Sequence, residues 1–315
     1  MKKTVILSED NLQLASDLLK KGELVAFPTE TVYGLGARID NESALLAIFA
    51  AKNRPADNPL IAHFSDLTQL DWVAEDIPPI FYKLFAKFSP GPLTFVLKKH
   101  SSLSLLVTGG LDKVAVRMPN HPIALKLIDL TGVPLVGPSA NISSRPSPTS
   151  SAHVLFDLVG RIAAIVEGGE CAVGIESTVI DLTGEVPRLL RPGVITAEEI
   201  ESAIGVKIER VLSGKNLPSP GMRYRHYAPN AAVHLFDSVD AIREHLQKKE
   251  VRAALFASKE CAIEGVTYFP LSEKSYYAAL RTADALMVDE ILILCDEQIK
   301  THAGLMNRIT RSAHG

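Results

Sequence analysis

The chain has 315 residues, of which 47% are hydrophobic and 22% are charged, a composition typical of an ordinary globular protein with one or two domains. Its net charge of −3 indicates neither a nucleic-acid-binding protein nor one that binds an anionic membrane. No apolar run comes close to the length of about 20 residues that a helix needs to span a bilayer. Cys171, Cys261 and Cys295 lie far apart, which predicts buried thiols in a cytoplasmic protein and not disulfides or a cysteine-based zinc site.

Helix-like and strand-like segments alternate through the first two thirds of the chain. Ser8 and Asn41 are candidate caps of the first two helices, and a capping-box sequence at 196–199 starts a later one. Further helices are predicted at 79–88, 122–130 and 151–159, and short apolar strands at 24–27, 60–64, 93–97, 114–118, 135–137, 162–166 and 178–182. This alternation predicts an α/β fold with an open twisted sheet.

A domain boundary is expected between 212 and 230, where turn-forming residues replace the periodic pattern. Beyond it, strands at 233–236, 253–256 and 291–294 alternate with helices at 239–248 and 276–286, which is typical of a Rossmann-like domain. We therefore predict a main domain over 1–212, a linker over 213–230 and a smaller domain over 231–315. Since residues 207–230 hold five basic residues and one acidic residue, the linker is either a solvated connector or a strap across an anionic ligand.

The familiar catalytic motifs are missing from the sequence. It contains no G-x-x-x-x-G-K-[ST], H-E-x-x-H or G-x-S-x-G, and the glycines at 34 and 36 lack the third glycine of a dinucleotide fingerprint. Polar loops instead follow several strands, where α/β sheets usually bind ligands. His63 inside an apolar strand is more often a core residue than a ligand, whereas a buried Arg117 needs a carboxylate or a bound anion. Together the loops indicate a phosphate-bearing ligand.

Nine motifs in the same order resemble those of the two-domain threonylcarbamoyl-AMP synthases, of the YrdC-like family. They are PTETVYGL at 28–35, KNRP at 52–55, SPGPLT at 89–94, VRMP at 116–119, PSAN at 138–141, RPSPT at 145–149, ESTV at 176–179, LRPG at 190–193 and SPGMRYRHYAP at 219–229. The resemblance covers essentially the whole chain. Lys113 departs from the family pattern, which has threonine there.

The resemblance implies a nucleotidyltransferase that joins L-threonine, bicarbonate and ATP into threonylcarbamoyl-AMP and pyrophosphate. The product would pass to the proteins that transfer the threonylcarbamoyl group to tRNA, without direct tRNA binding here. The implied fold is an open twisted α/β catalytic domain followed by a Rossmann-like one. Mg²⁺ is expected with ATP, held by phosphates and water and not by protein ligands.

The resemblance also assigns the binding residues. Lys52 and Arg54 would stabilise the phosphates as the catalytic pair. L-Threonine would contact Thr31, His63, Arg117, Gly137 and Ser177. ATP would contact Arg54, Asn58, Lys113, Ser139, Asn141, Ser147, Arg191, Tyr224 and His226. The basic linker would then act as a lid that excludes water from a hydrolysable adenylate.

Two other functions remain open at this stage. A double-stranded-RNA-binding module is one, although the net charge of −5 over residues 1–206 disfavours it. The other is a carbamoyl-transfer domain of the hydrogenase-maturation type, which shares the fold but sits among zinc-finger and acylphosphatase-like segments. Replacement of threonine and bicarbonate by carbamoyl phosphate would identify that second function.

Overall fold

The computed structural model describes residues 3–211, 227–248 and 250–313. Most of the predicted linker, with Tyr224, His226 and the proposed lid, lies outside these residues. Within the described ranges, no helix has both the length and the apolar character needed to cross a membrane.

An open sheet of eleven strands forms the main domain. In chain order the strands are β1 (Val5–Leu7), β2 (Val25–Phe27), β3 (Gly34–Arg38), β4 (Ile61–His63), β5 (Leu93–Lys98), β6 (Lys113–Arg117), β7 (Leu135–Val136), β8 (Ala164–Val166), β9 (Thr178–Asp181), β10 (Arg188–Arg191) and β11 (Glu209–Arg210). Their order across the sheet is β1-β8-β2-β3-β7-β4-β6-β5-β9-β10-β11. Parallel and antiparallel neighbours are mixed, and the mixed α/β fold with a second sheet confirms the predicted fold class.

Helices cover this sheet. They are α1 (Leu12–Lys20), α2 (Glu42–Lys52), α3 (Pro79–Phe88), α4 (Leu105–Thr108), α5 (Pro122–Thr131), α6 (Ser151–Leu158) and α7 (Ala197–Ile204), with two 3₁₀ turns at Glu9–Asn11 and Leu67–Trp72. The predicted caps at Asn41 and Thr196 are confirmed, because each side chain accepts a backbone N–H of its helix. Ser8 is not such a cap, since the 3₁₀ turn intervenes before α1 and the Ser8 side chain caps neither.

Strand β3 was not predicted, because its two glycines break the apolar pattern. It pairs antiparallel with β2, and the Phe27 ring lies over both glycines. A Cβ on Gly34 would stand 3.0 Å from the Phe27 ring, and one on Gly36 would stand 2.8 Å from the Val25 carbonyl oxygen. The glycines therefore serve the packing of a buried ring and do not mark a phosphate-binding turn.

The second sheet has four parallel strands, β12 (Ala232–Phe236), β13 (Ala253–Ala257), β14 (Thr267–Pro270) and β15 (Glu290–Leu294), in the order β12-β15-β13-β14. Its helices are α8 (Val239–Leu246), α9 (Tyr276–Ala285), α10 (Glu297–Thr301) and α11 (Ala303–Ala313). The apolar core under α9 and α11 extends to Val32 and Ile175 of the main domain. The two domains thus pack against each other through a shared core.

Candidate functional site

Several strands of the large sheet lead into one cleft, whose lining comes from the main domain and, at Tyr227, from the linker. Its floor lies where β4, β6 and β7 end, and the segment after α2 forms one rim. The lining residues are Thr29, Thr31, Val32, Gly34, Lys52, Arg54, Ile61, His63, Arg117, Gly137, Pro138, Ser139, Asn141, Ser143, Ser144, Arg145, Ser147, Glu176, Ser177, Arg191 and Tyr227. The cleft thus brings together eleven of the fifteen residues that were predicted to bind a substrate or to take part in catalysis.

His63 and Arg117 lie side by side at the cleft floor. They are paired residues on the parallel strands β4 and β6, so both side chains point to the same face. Gly137 follows β7, and a Cβ there would stand 2.8 Å from His63 Nδ1. Only glycine lets this backbone approach the imidazole so closely.

Arg117 is buried at 4% exposure and is held by three oxygens. Its Nη2 lies 2.6 Å from the Glu30 carboxylate, its Nη1 donates to Thr31 Oγ1 at 2.9 Å, and its Nε donates to the Gly91 carbonyl. The carboxylate that a buried arginine requires is therefore supplied by the protein itself. Since a guanidinium has five N–H groups, two remain beyond these contacts.

His63 is also buried, at 2% exposure. Desolvation first and the Arg117 charge second lower the pKa of His63 to about 3. The imidazole is therefore neutral at physiological pH, and it can bind a substrate as a hydrogen-bonding group without competing with Arg117 for an anion.

A tight turn before β3 presents hydroxyl groups beside Arg117. Thr29 Oγ1 accepts from the backbone N–H groups of Thr31 and Val32 and donates to the Val32 carbonyl at 2.6 Å. The two threonine hydroxyls are 2.9 Å apart. This turn fixes Thr31 against the guanidinium, so the hydroxyl and the cation form one rigid polar surface.

The opposite wall of the cleft combines Ser147, Ser177, Glu176 and Arg191. Ser147 Oγ donates to Glu176 Oε1 at 2.5 Å. Arg191 donates through Nε to the Ser177 carbonyl at 3.0 Å and through Nη2 to the Ser177 hydroxyl at 3.2 Å. Burial alone would raise the pKa of Glu176, but the charges of Arg308 and Arg191 lower it to about 2. Glu176 is therefore a fixed anion in this wall.

Lys52, at the end of α2, ties down the loop after β7. Lys52 is 1% exposed, and its ammonium donates to the carbonyls of Ser139 and Asn141, the second at 2.6 Å. Asn141 in turn donates from Nδ2 to the carbonyls of Ile142 and Arg145 at 2.9 Å. Desolvation, and then the charge of Arg54, lower the pKa of Lys52 well below its ordinary value. The position of this loop thus depends directly on Lys52.

Two of the predicted ATP contacts do not line the cleft. Lys113 begins β6, the end of the strand away from Arg117, and its ammonium lies 3.2 Å from the Asp181 carboxylate. Asn58 is buried, with its carbonyl accepting from Arg54, and its side-chain Oδ1 has no hydrogen-bond partner. The predicted roles of Tyr224 and His226 fall outside the described residues.

Among the residues without a predicted role, three that line or support the cleft are central to its geometry. Glu30 and Glu176 stand inside the quoted motifs, yet nothing in the sequence shows that each carboxylate faces a buried arginine. Tyr227 lies near the end of the basic linker and is 5% exposed. The sequence did offer one signal for such a carboxylate. A charged residue inside an apolar strand, as at Arg117, requires an oppositely charged partner somewhere in the fold.

Among the residues that the structure describes, the cleft does not offer a protein-built metal site. Glu176 is the one carboxylate in this described lining, and it is engaged by Ser147, Tyr277 and Arg308. Within the part of the chain that the structure describes, the residues of the cleft do not form a set of three His, Cys, Asp or Glu side chains close enough to hold an ion. No catalytic step is therefore assigned to a resident metal.

Comparison with known proteins identifies the family. Residues 17–193 match the family model described as "Telomere recombination", and residues 195–314 match the model "Threonylcarbamoyl-AMP synthase, C-terminal domain". The chain is 44% identical to the threonylcarbamoyl-AMP synthase of Pyrococcus abyssi, over 98% of this chain and 95% of that protein. It is 41% identical to the Bacillus subtilis enzyme of the same name, over 98% and 94%.

A solved structure agrees with these matches. The crystal structure of P. abyssi Sua5 complexed with L-threonine has a TM-score of 0.92 and 42% identity, covering 99% of this chain and 98% of that one. The resemblance seen in the motifs is confirmed by family models that together extend from residue 17 to residue 314. This chain belongs to the threonylcarbamoyl-AMP synthase family.

Proposed function

We propose that the chain makes threonylcarbamoyl-AMP and pyrophosphate from L-threonine, bicarbonate and ATP, with all three substrates in the described cleft. One observation supports this proposal most directly: the cation of Arg117, the neutral imidazole of His63 and the hydroxyl of Thr31 lie together at the cleft floor. The related P. abyssi protein was crystallised with L-threonine.

The floor suits an amino acid with a hydroxyl side chain. The two remaining N–H groups of Arg117 can receive a carboxylate in the paired geometry that guanidinium groups favour. Because His63 is neutral, it accepts or donates one hydrogen bond without repelling the substrate ammonium group. Thr31 and Ser177 offer hydroxyls on either side. An apolar amino acid of similar size lacks the hydroxyl and would leave these buried groups unpaired. The site therefore discriminates against such an amino acid.

The other wall suits a nucleotide. Arg54, Arg191 and the hydroxyls of Ser139 and Ser147 border one space with the ammonium of Lys52 nearby. Cations in a partly dry cleft neutralise phosphate charge more effectively than they would in water. Mg²⁺ would enter with ATP, held by phosphate oxygens and water, and the cleft residues would position the phosphates.

The reaction requires positioning more than a protein nucleophile. The threonine nitrogen bonds to the bicarbonate carbon, with loss of water, and forms an N-carboxylate. An oxygen of that carboxylate then bonds to the α-phosphorus, the bond from this phosphorus to the β-phosphate oxygen breaks, and pyrophosphate leaves. Holding both reactants in line supplies much of the rate enhancement in such a displacement. The product would pass to proteins that modify tRNA.

The two other functions considered are not favoured. The polar residues of the floor are buried and paired within a cleft, whereas an RNA backbone needs an exposed basic face. The match to the threonylcarbamoyl-AMP synthase C-terminal model over residues 195–314 also disfavours a carbamoyl-transfer domain of the hydrogenase-maturation type.

The test is product analysis with the full chain. Incubation with ATP, Mg²⁺, L-threonine and ¹³C-bicarbonate should release pyrophosphate and yield threonylcarbamoyl-AMP one mass unit heavier than with unlabelled bicarbonate. Omitting threonine or bicarbonate should stop both products, and carbamoyl phosphate should not replace the pair. Pyrophosphate release that ignores threonine, or an adenylate without the label, would disprove the proposal.

A further inference from the structure

The C-terminal domain reaches the cleft through one arginine of its last helix. Arg308 of α11 is fully buried, at 0% exposure, although arginine is rarely buried without partners. Its Nε donates to Glu176 Oε2 at 3.0 Å and its Nη2 to the Glu176 carbonyl at 2.9 Å. Its Nη1 donates to the carbonyl of Pro192, directly after the cleft residue Arg191. One guanidinium thus holds two segments of the other domain.

A tyrosine of the same domain completes this contact. Tyr277 of α9 donates its hydroxyl to Glu176 Oε2 at 2.9 Å. Glu176 Oε1, on the other side of the carboxylate, receives the hydroxyl of Ser147. The carboxylate therefore has one oxygen turned to the C-terminal domain and the other turned to the cleft.

We infer that Arg308 is a positioning residue for the ATP half of the cleft: it fixes the Glu176 carboxylate, which in turn orients the Ser147 hydroxyl beside Arg191. The inference rests on the proposed function, since it takes Ser147 and Arg191 as nucleotide contacts. With its proton directed to Glu176, the Ser147 oxygen can only accept, so it suits a donor group of the nucleotide such as a ribose hydroxyl or the adenine amino group. The C-terminal domain is thereby a part of the substrate site.

The charges around Glu176 determine the pH at which its carboxylate takes up a proton, and this pH dependence can be measured. The groups that face the carboxylate are Arg308 from α11, Tyr277 from α9, Arg191 from β10, and Tyr227 and Ser147 from the loops. Burial opposes the ionised form, and the two arginines keep it ionised. Without Arg308, burial is opposed mainly by Arg191, so Glu176 takes up a proton at higher pH, and the neutral carboxyl accepts from Ser147 more weakly than the carboxylate does.

The chain supplies a matched pair of variants. Tyr276 and Tyr277 are adjacent, and both are at 0% exposure. The Tyr277 hydroxyl bonds Glu176, whereas the Tyr276 hydroxyl bonds Ser312 Oγ at 2.6 Å, inside its own domain. Tyr277→Phe and Tyr276→Phe therefore each remove one buried hydrogen bond, but only the first touches the cleft.

The experiment measures steady-state pyrophosphate release at pH 6, 7 and 8, with KM for ATP and for L-threonine. Tyr277→Phe should raise the KM for ATP by about tenfold, the low end for one hydrogen bond to a charged group, while Tyr276→Phe changes neither KM. Arg308→Met should raise the KM for ATP by about tenfold or more, and more at pH 6 than at pH 8. Arg308→Lys, which restores the charge, should recover part of the loss.

Adding Glu176→Gln to Arg308→Met should remove the pH dependence, because the protonating group is gone. Equal effects of Tyr276→Phe and Tyr277→Phe, or a change confined to the KM for threonine, would overturn the inference. If Arg308→Met does not fold, the tyrosine pair still decides the question. Should wild type release no pyrophosphate in response to threonine and bicarbonate, the proposed function itself fails; active wild type with unaffected variants refutes this inference alone.

Discussion

The two halves of the cleft stabilise buried charge by different means. In the half that we propose binds threonine, here called the threonine half, Arg117 lies 2.6 Å from Glu30, and both belong to the main domain. In the half that we propose binds ATP, here called the nucleotide half, Glu176 lies 3.0 Å from Arg308, and the arginine belongs to the C-terminal domain. Every charge-compensating group of the first half thus comes from one domain, whereas the second half depends on contact between two.

This difference indicates how each half should respond to change. A buried ion pair contributes little net stability when complete but leaves a costly charge when one partner is removed. The threonine half should therefore fail by local destabilisation of the main domain. The nucleotide half should respond to residues far outside the cleft, because its anion is balanced from α9 and α11.

The largest effect is expected at Arg117. Arg117→Met should destabilise the chain by about 3–5 kcal/mol, because it leaves the Glu30 carboxylate buried without its cation. The double variant Arg117→Met with Glu30→Gln should recover most of that stability and still bind no threonine. Urea unfolding gives the first quantity and calorimetric titration the second. Restored threonine binding in the double variant would show that Arg117 serves the fold alone.

Lys52 should give the next largest effect. Lys52→Met keeps the aliphatic stem but removes the donors to the Ser139 and Asn141 carbonyls, at a cost of about 1.5–3 kcal/mol. Pyrophosphate release should fall much more than threonine affinity, since the released loop belongs to the nucleotide half. The control is Lys98→Met, whose exposed pairs with Glu75 and Asp76 should matter little. A parallel loss of threonine affinity would contradict this assignment.

Gly137→Ala tests the close approach in the threonine half. The new methyl would stand 2.8 Å from His63 Nδ1 and 3.1 Å from the Phe27 ring, so the imidazole must move. Overpacking of this kind costs about 1–3 kcal/mol, and threonine affinity should drop while ATP affinity is kept. Gly184→Ala is the control, because its nearest heavy atom is 3.6 Å away. Unchanged threonine affinity would remove Gly137 from the site.

At neutral pH the smallest effect concerns His63, whose contribution appears only as the pH is lowered. Its pKa is about 3 in the folded chain and about 6.5 when unfolded, so only the unfolded chain takes up the proton between these values. Stability should therefore fall as the pH falls below 6.5, by about 1.4 kcal/mol per pH unit from this group. The slope of unfolding free energy between pH 6 and 4 should be shallower by that amount in His63→Leu. Equal slopes would mean that His63 titrates normally.

The sequence predicted most of the fold because its strands are short, uninterrupted apolar runs and its helices carry clear caps. It missed the short strands β1, β10, β11 and β14 and the short helices α4 and α10. It also missed β3, whose glycines fit under the Phe27 ring, and α11, where Arg308 occupies a buried position that a polar residue ordinarily does not. The packing of those elements depends on residues distant in the chain, which local patterns do not record.

The sequence predicted many of the residues that line the candidate site, but it did not predict the contacts between them. Motif resemblance placed eleven residues that do line the cleft. It gave no indication that Glu30 compensates Arg117, or that Glu176 and Arg308, 132 positions apart, form a pair. The three-dimensional fold determines which residues pair with a buried charge, and a single sequence does not show these pairs.

The most direct test of the divided cleft is a crossed calorimetric titration. L-Threonine and a non-hydrolysable ATP analogue are each titrated into Arg117→Met/Glu30→Gln and into Arg308→Met/Glu176→Gln, two variants in which both charges of a pair are removed. The account predicts that the first variant loses threonine binding and keeps the nucleotide, and that the second weakens the nucleotide and keeps threonine. Equal weakening of both ligands in both variants would contradict it.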